Sequence, residues 1–129
     1  MMLNVLLIAT GGALGSVLRY LISEAVSALI GMSAVWAILL VNVSGSFIIG
    51  LAAGASWEHV RLADSSFTRY FVMVGVCGGY TTFSSFSLQT FSLLQSGEIA
   101  RASINVGLSV VTCLIATWAG YALAAALSR

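Results

Sequence analysis

Within an apolar stretch long enough to cross a bilayer stands Gly78-Gly79-Tyr80-Thr81-Thr82-Phe83-Ser84-Ser85-Phe86. Glycines and hydroxyls at that depth loosen a backbone that hydrocarbon offers nothing to hydrogen-bond. Non-helical backbone is tolerated in a membrane only where protein buries it or a cavity wets it. The cluster therefore marks a working site, and carbonyls freed at a break there can coordinate a cation such as sodium. A glycine-packed kink without an ion is the competing reading. Phe83 and Phe86 share one helical face beside the hydroxyls of Ser84 and Ser85.

Two further spans carry polar groups at intervals of four. In the second, Asn42, Ser46, Gly50 and Gly54 recur on one stripe. Helix packing explains the glycines, but a carboxamide in hydrocarbon demands partners. Asn42 is open to two readings: glue between helices, or an NH2 donor offered to a passing anion. In the fourth span, Asn105, Ser109, Cys113 and Thr117 follow the same interval, so their stripe drifts slowly around the helix. One hydroxyl would simply bond back to its own carbonyl at i−4. A whole stripe is better explained by a wet path. In the first span Gly11 and Gly15 form a small-xxx-small pair, with Arg19 on the same face. Arg19 either snorkels to the interface or has a functional or dimer-stabilising role, since intramembrane charge is costly.

A membrane fold must position these groups. Of 129 residues, 60% are hydrophobic and 7% charged, against about 25% charged in soluble domains. Apolar residues gather near Leu3–Ile22, Val35–Ala55, Phe67–Leu94 and Ala102–Leu127, each meeting the roughly 20 residues that span hydrocarbon. Trp36 and Trp57 bracket the second, as interfacial aromatics do. The expectation is one all-α membrane domain, residues 1–129, with four transmembrane helices. Proline is absent, so any break falls to glycine. The third span is too long for one simple crossing, and two half-helices should meet near Gly78–Thr82. No basic side chain precedes Arg19, which argues against a cleaved signal peptide.

An even number of spans puts both termini and the loop Ser56–Ser66 on one face, with Arg61, Arg69 and Arg129; Arg19 and Arg101 lie on the other. Orientation follows bias in such counts, and three against two hardly specifies one. The sequence thus permits insertion both ways up and an antiparallel homodimer, with small-residue faces at Gly11/Gly15 and Gly50/Gly54. Every carboxylate, Glu24, Glu58, Asp64 and Glu98, falls in a predicted loop or at a span end. A proton-coupled pump normally needs an ionisable group in the membrane interior. That argues against a small multidrug transporter, whose defining first-span glutamate gives way to Gly11, Gly12 and Gly15. No nucleophile–base pair, phosphate loop or metal cluster is visible, so an enzyme is not expected. Cys77 and Cys113 lie inside spans with no ligand spacing to His59, so neither zinc nor a disulfide is inferred.

At these residues the chain resembles the CrcB/Fluc family of fluoride channels, over nearly its whole length. The resemblance rests on Gly11-Gly12…Gly15…Arg19-Tyr20 and on Asn42…Gly45…Phe47…Gly50. Its most specific part is Gly75…Gly78-Gly79-Tyr80-Thr81-Thr82-Phe83-Ser84-Ser85-Phe86-Ser87. It implies a dual-topology antiparallel homodimer in the inner or plasma membrane. Two fluoride pores, built from both subunits, would give passive fluoride export. On the same resemblance Phe83 and Phe86 turn electropositive ring edges to the ion, and Asn42 is the pore asparagine. Carbonyls of Gly78 and Thr81 from each subunit would hold one structural sodium ion (Na+) on the dimer axis. Ser109 and Thr117 match a polar track along the fourth helix, and Asn105 falls at the pore vestibule. The implied partners are fluoride, a second copy and the lipid bilayer, not nucleic acid. Two departures stand out. Gln89 replaces a glutamate that many relatives carry, and Cys113 replaces a serine, exchanging a good hydrogen-bonding group for a weak one.

Overall fold

Apolar runs of this length satisfy their backbone in hydrocarbon by closing hydrogen bonds within a helix, and the described residues are helical over four long apolar segments. The computed structural model describes residues 1–31, 33–56 and 66–127. Trp57, Glu58, His59, Arg61, Asp64 and Arg129, and with them most of the loop Ser56–Ser66, lie outside the described residues. Helix α1 spans Met2–Ile30 and α2 spans Ala34–Ser56. A π-wound stretch, Phe67–Cys77, runs into a single α turn, Gly78–Tyr80, and the two together are α3. Helix α4 covers Phe83–Gln95 and α5 covers Ile99–Leu127. With α3 and α4 forming one discontinuous crossing, four segments are long and apolar enough to cross a membrane. The chain is an all-α, multi-pass protein of the inner or plasma membrane.

Helix α1 continues past Ile22 to Ile30, so Glu24, expected in a loop or at a span end, stands on the helix. The helix stops at Gly31, whose φ of 65° is the left-handed cap that glycine adopts without strain. The winding of Phe67–Cys77 has no local sequence signal that would announce it.

Packing runs mainly in two pairs, α2 along α5 and α1 along α3. Small residues set both contacts. A side chain added at Gly50 would collide with the Thr117 carbonyl oxygen, and one at Gly15 with that of Val76. Gly11 and Gly54 are likewise closed off, by Phe71 and Tyr121. The faces Gly11/Gly15 and Gly50/Gly54 are therefore occupied inside the chain, which corrects their assignment to a dimer contact. A small-xxx-small stripe accepts any helix that approaches closely, and here helices of the same chain fill it. Elsewhere α5 turns Leu114, Ile115 and Trp118 outward, at 67%, 58% and 69% exposure. Such a surface suits lipid.

Gly50→Ala should force α2 and α5 apart and destabilise the protein by about 1–3 kcal/mol, the usual cost of overpacking. Gly107→Ala, whose added methyl meets nothing within 4 Å, should stay within about 0.5 kcal/mol of wild type. Thermal unfolding of the two detergent-solubilised variants checks the contrast.

Candidate functional site

The third crossing breaks just beyond the glycine pair. Gly78 keeps helical angles, φ −64° and ψ −37°, whereas Thr81 (φ −77°, ψ 156°) and Thr82 (φ −148°, ψ 109°) are extended. The break is thus within the expected Gly78–Thr82 window, but threonines rather than glycines make it. β-branched residues accept extended backbone readily.

Asn42 on α2 holds the break. In a continuing helix the Thr82 N–H would bond the Gly78 carbonyl; instead it donates to Asn42 Oδ1 at 2.8 Å. Asn42 Nδ2 donates back to the Thr82 carbonyl at 3.1 Å. One carboxamide thereby satisfies both main-chain groups of a residue only 6% exposed. Of the two readings open for Asn42, the bond between helices is present. Its amide nitrogen carries two protons, and the residue also lines the cavity beside the break. Ser44 adds a second grip, its Oγ 2.9 Å from the Tyr80 hydroxyl.

Beyond the break Thr82 caps α4. Its Oγ1 accepts the Ser85 N–H at 3.1 Å, and its hydroxyl donates to Ser85 Oγ at 3.0 Å. Ser84 Oγ lies 3.2 Å from the same oxygen. This is an N-cap of the usual kind, worth about 1 kcal/mol. It turns the start of α4, with its partial positive charge, toward the break.

Between α2, the break and α5 lies a cavity of about 340 Å³. Asn42, Gly78, Thr81, Phe83, Phe86 and Ser109 are on its wall, and no charged side chain is among the lining residues. The rings of Phe83 and Phe86 are 5.3 Å apart and inclined at 51°. Phe86 is buried at 9% exposure, while Phe83 is 78% exposed within the single chain.

The polar stripe on α5 divides between environments. Ser109 and Cys113 line this cavity. Asn105 lines a neighbouring one of about 290 Å³, together with Trp36 and Arg101. Asn105 Nδ2 donates to Thr90 Oγ1 at 2.9 Å, and the Thr90 hydroxyl donates to the Phe86 carbonyl at 2.8 Å. Thr117 lines neither cavity; its hydroxyl donates back to the Cys113 carbonyl at 3.0 Å. Arg19 is half-buried on α1 and also lines neither. Ser44 and Thr90 escaped sequence reasoning because the partners that matter here, Tyr80 and Asn105, lie on other helices.

For a cation, the oxygens at hand are main-chain ones. Thr82 N–H is diverted from the Gly78 carbonyl, and the Thr81 hydroxyl is engaged with the Cys77 carbonyl at 2.9 Å. Gly78 faces open space, since an added Cβ meets nothing within 4 Å. Among the described residues no cluster of His, Cys, Asp or Glu could hold a metal. Carbonyl oxygens of Gly78 and Thr81 fit a hard cation, but one chain offers few of them.

Fold and site together define a multi-pass membrane protein with a discontinuous third crossing and an uncharged cavity at the discontinuity. Residues 6–121 match the family model described as CrcB-like protein, Camphor Resistance (CrcB). The chain is 52% identical to the fluoride-specific ion channel FluC of Rhodospirillum rubrum, over 90% of each chain. It is 49% identical to FluC 1 of Rhodopseudomonas palustris, over 95% of this chain and 87% of the relative. To FluC of Paramagnetospirillum magneticum it is 44% identical, over 99% of this chain and 100% of the relative. The protein belongs to the CrcB family, a family of ion channels rather than enzymes.

Asn42→Ala should leave the Thr82 N–H and carbonyl without partners and destabilise the fold by about 2–4 kcal/mol, the cost of two unsatisfied buried groups. Asn42→Asp should cost less, because an acceptor for the N–H survives. Denaturation midpoints of both variants in detergent measure the difference.

Proposed function

We propose that the protein is a fluoride-selective channel giving passive fluoride export, with two pores in each antiparallel homodimer. One observation carries the reading. Phe83 and Phe86 pair on the wall of an uncharged cavity at a helix break, in a chain whose relatives are named fluoride-specific ion channels. Fluoride is small and strongly hydrated, so a path must replace its water with donors. Asn42 and Ser109 offer such donors on the cavity wall, with Ser84 and Ser85 at the start of α4, Asn105 at the vestibule and Thr117 further along α5. The ring edges of Phe83 and Phe86 add partial positive charge at little desolvation cost. Weak, multiple contacts suit conduction, which requires an ion to enter favourably and still leave. A narrow aromatic constriction disfavours the larger chloride by size.

Two features support a second copy. Phe83 is largely uncovered in one chain, and Gly78 faces open space. The antiparallel arrangement is supported by the near-balance of arginines in the sequence. A hard cation takes oxygen ligands, and carbonyls of Gly78 and Thr81, two from each copy, would hold sodium on the dimer axis. The C-terminal end of α3 carries the negative end of its dipole, which favours a cation there. Bound sodium would supply positive charge between the two anion paths. Within each chain, Asn42 keeps the break open and the Thr81 side chain stays out of the ligand set.

Fluoride efflux from liposomes holding the purified protein tests the function, with chloride as the comparison. Fluoride should leave and chloride should stay; equal loss of both would overturn the selectivity. Phe83→Ile should lower fluoride flux by about tenfold or more, equivalent to roughly 1.4 kcal/mol of barrier, in a dimer of unchanged stability. Phe86→Ala should in addition destabilise by about 3–5 kcal/mol through the cavity it leaves. Replacing sodium with an organic cation should lower both melting temperature and flux, whereas Thr81→Ser should alter neither greatly. A protein indifferent to sodium removal would have no use for the ion.

A further inference from the structure

Three cavities surround α4, and they differ in charge. The central one has been described. The Arg101–Asn105 cavity adjoins it, and a third, of about 320 Å³, is lined by Ser23, Glu24, Ser85 and Gln89 among others. Among the described residues lining the three, Arg101 is the sole cation and Glu24 the sole anion. An anion approaching Phe86 therefore meets attraction on one side of α4 and repulsion on the other.

The attractive side also has the polar groups to receive it. Arg101, Asn105 and Ser109 succeed one another at intervals of four on α5, each step rising about 6 Å. The first two line the Arg101 cavity and the third lines the central one. A hydrogen-bonded bridge runs from Asn105, on the Arg101 cavity, through Thr90 to the carbonyl of Phe86, on the central one. Glu98 is ion-paired with Arg101, their side chains 39% and 73% exposed respectively; the pair is weakly held and hydrated, and Glu98 offsets part of the Arg101 field.

The geometry points to Arg101 as the residue that collects anions at one mouth of the path, with Glu98 setting how much of its charge an arriving ion feels. This rests on the fluoride-channel reading. A fixed positive charge at a cavity mouth raises the local anion concentration, and added salt screens the effect. Guanidinium and ion remain separated by water, so the enhancement is about two- to fivefold at low ionic strength. The screening length falls from about 30 Å at 0.01 M to about 8 Å at 0.15 M.

The test is fluoride flux through reconstituted dimers at fixed fluoride, in low and high concentrations of an impermeant salt. Arg101→Gln should lower flux about two- to fivefold at low salt, and the deficit should shrink as salt rises. Arg101→Lys should restore most of the flux. Glu98→Gln should raise flux at low salt. Wild-type flux in Arg101→Gln at low salt would overturn the assignment, as would a deficit indifferent to salt. If Arg101→Gln yields no folded dimer, Glu98→Gln alone decides, since a neutral or negative effect on flux is incompatible with the role assigned. Wild-type vesicles without fluoride flux would overturn the channel reading and this inference together. A conducting wild type with salt-insensitive variants would overturn this inference only.

Discussion

A peptide group that leaves a helix inside hydrocarbon has nothing to bond, and each unsatisfied donor or acceptor costs several kcal/mol. The Asn42 carboxamide meets that constraint at Thr82, accepting from its N–H and donating to its carbonyl. Without it the N–H and carbonyl of the extended Thr82 would stand unpaired. The bond keeps two opposed helix ends apart within one crossing, one presenting carbonyls and the other N–H groups.

The rest of the fold serves to bring α2 to the break at a fixed depth. Close contacts at Gly15 and Gly50 let α1 reach α3 and α2 reach α5 with backbones nearly touching. Van der Waals packing of this kind replaces the hydrophobic drive that lipid cannot supply between helices. Ser44 and Tyr80 fix the same register from the other side of the link. Little apolar surface is buried inside the chain, and the outward Leu, Ile and Trp side chains match a hydrocarbon solvent.

Electrostatics is arranged by omission. The cavity beside the phenylalanines has no charged side chain among its lining residues, so an ion within it would be held by dipoles alone. Gln89 extends the pattern. Its Nε2 donates to the Ala34 carbonyl at 2.9 Å, a bond that an ionised glutamate, having no proton, could not make. In this chain the position therefore ties α4 to the start of α2 without placing a negative charge near Phe86.

Read as a string of residues, the chain determines a great deal. Apolar runs of membrane length dictate four crossings, because only internally bonded helices survive in hydrocarbon. The Gly78–Phe86 cluster points to a break, because glycines and hydroxyls at that depth loosen the backbone. Which residue makes the break, and which helix stabilises it, was decided in three dimensions. Threonines rather than glycines are extended because Asn42, distant in sequence, captures one of them. The glycine stripes were legible as close contacts, but not whom they contact, because a small surface fits any helix that arrives. The even interval on α5 suggested one continuous polar path. Tertiary packing divides it, turning Ser109 to the central cavity, Asn105 to the next and the Thr117 hydroxyl back onto its own helix. Helical spacing establishes which residues share a face; only the neighbouring helices decide what that face meets.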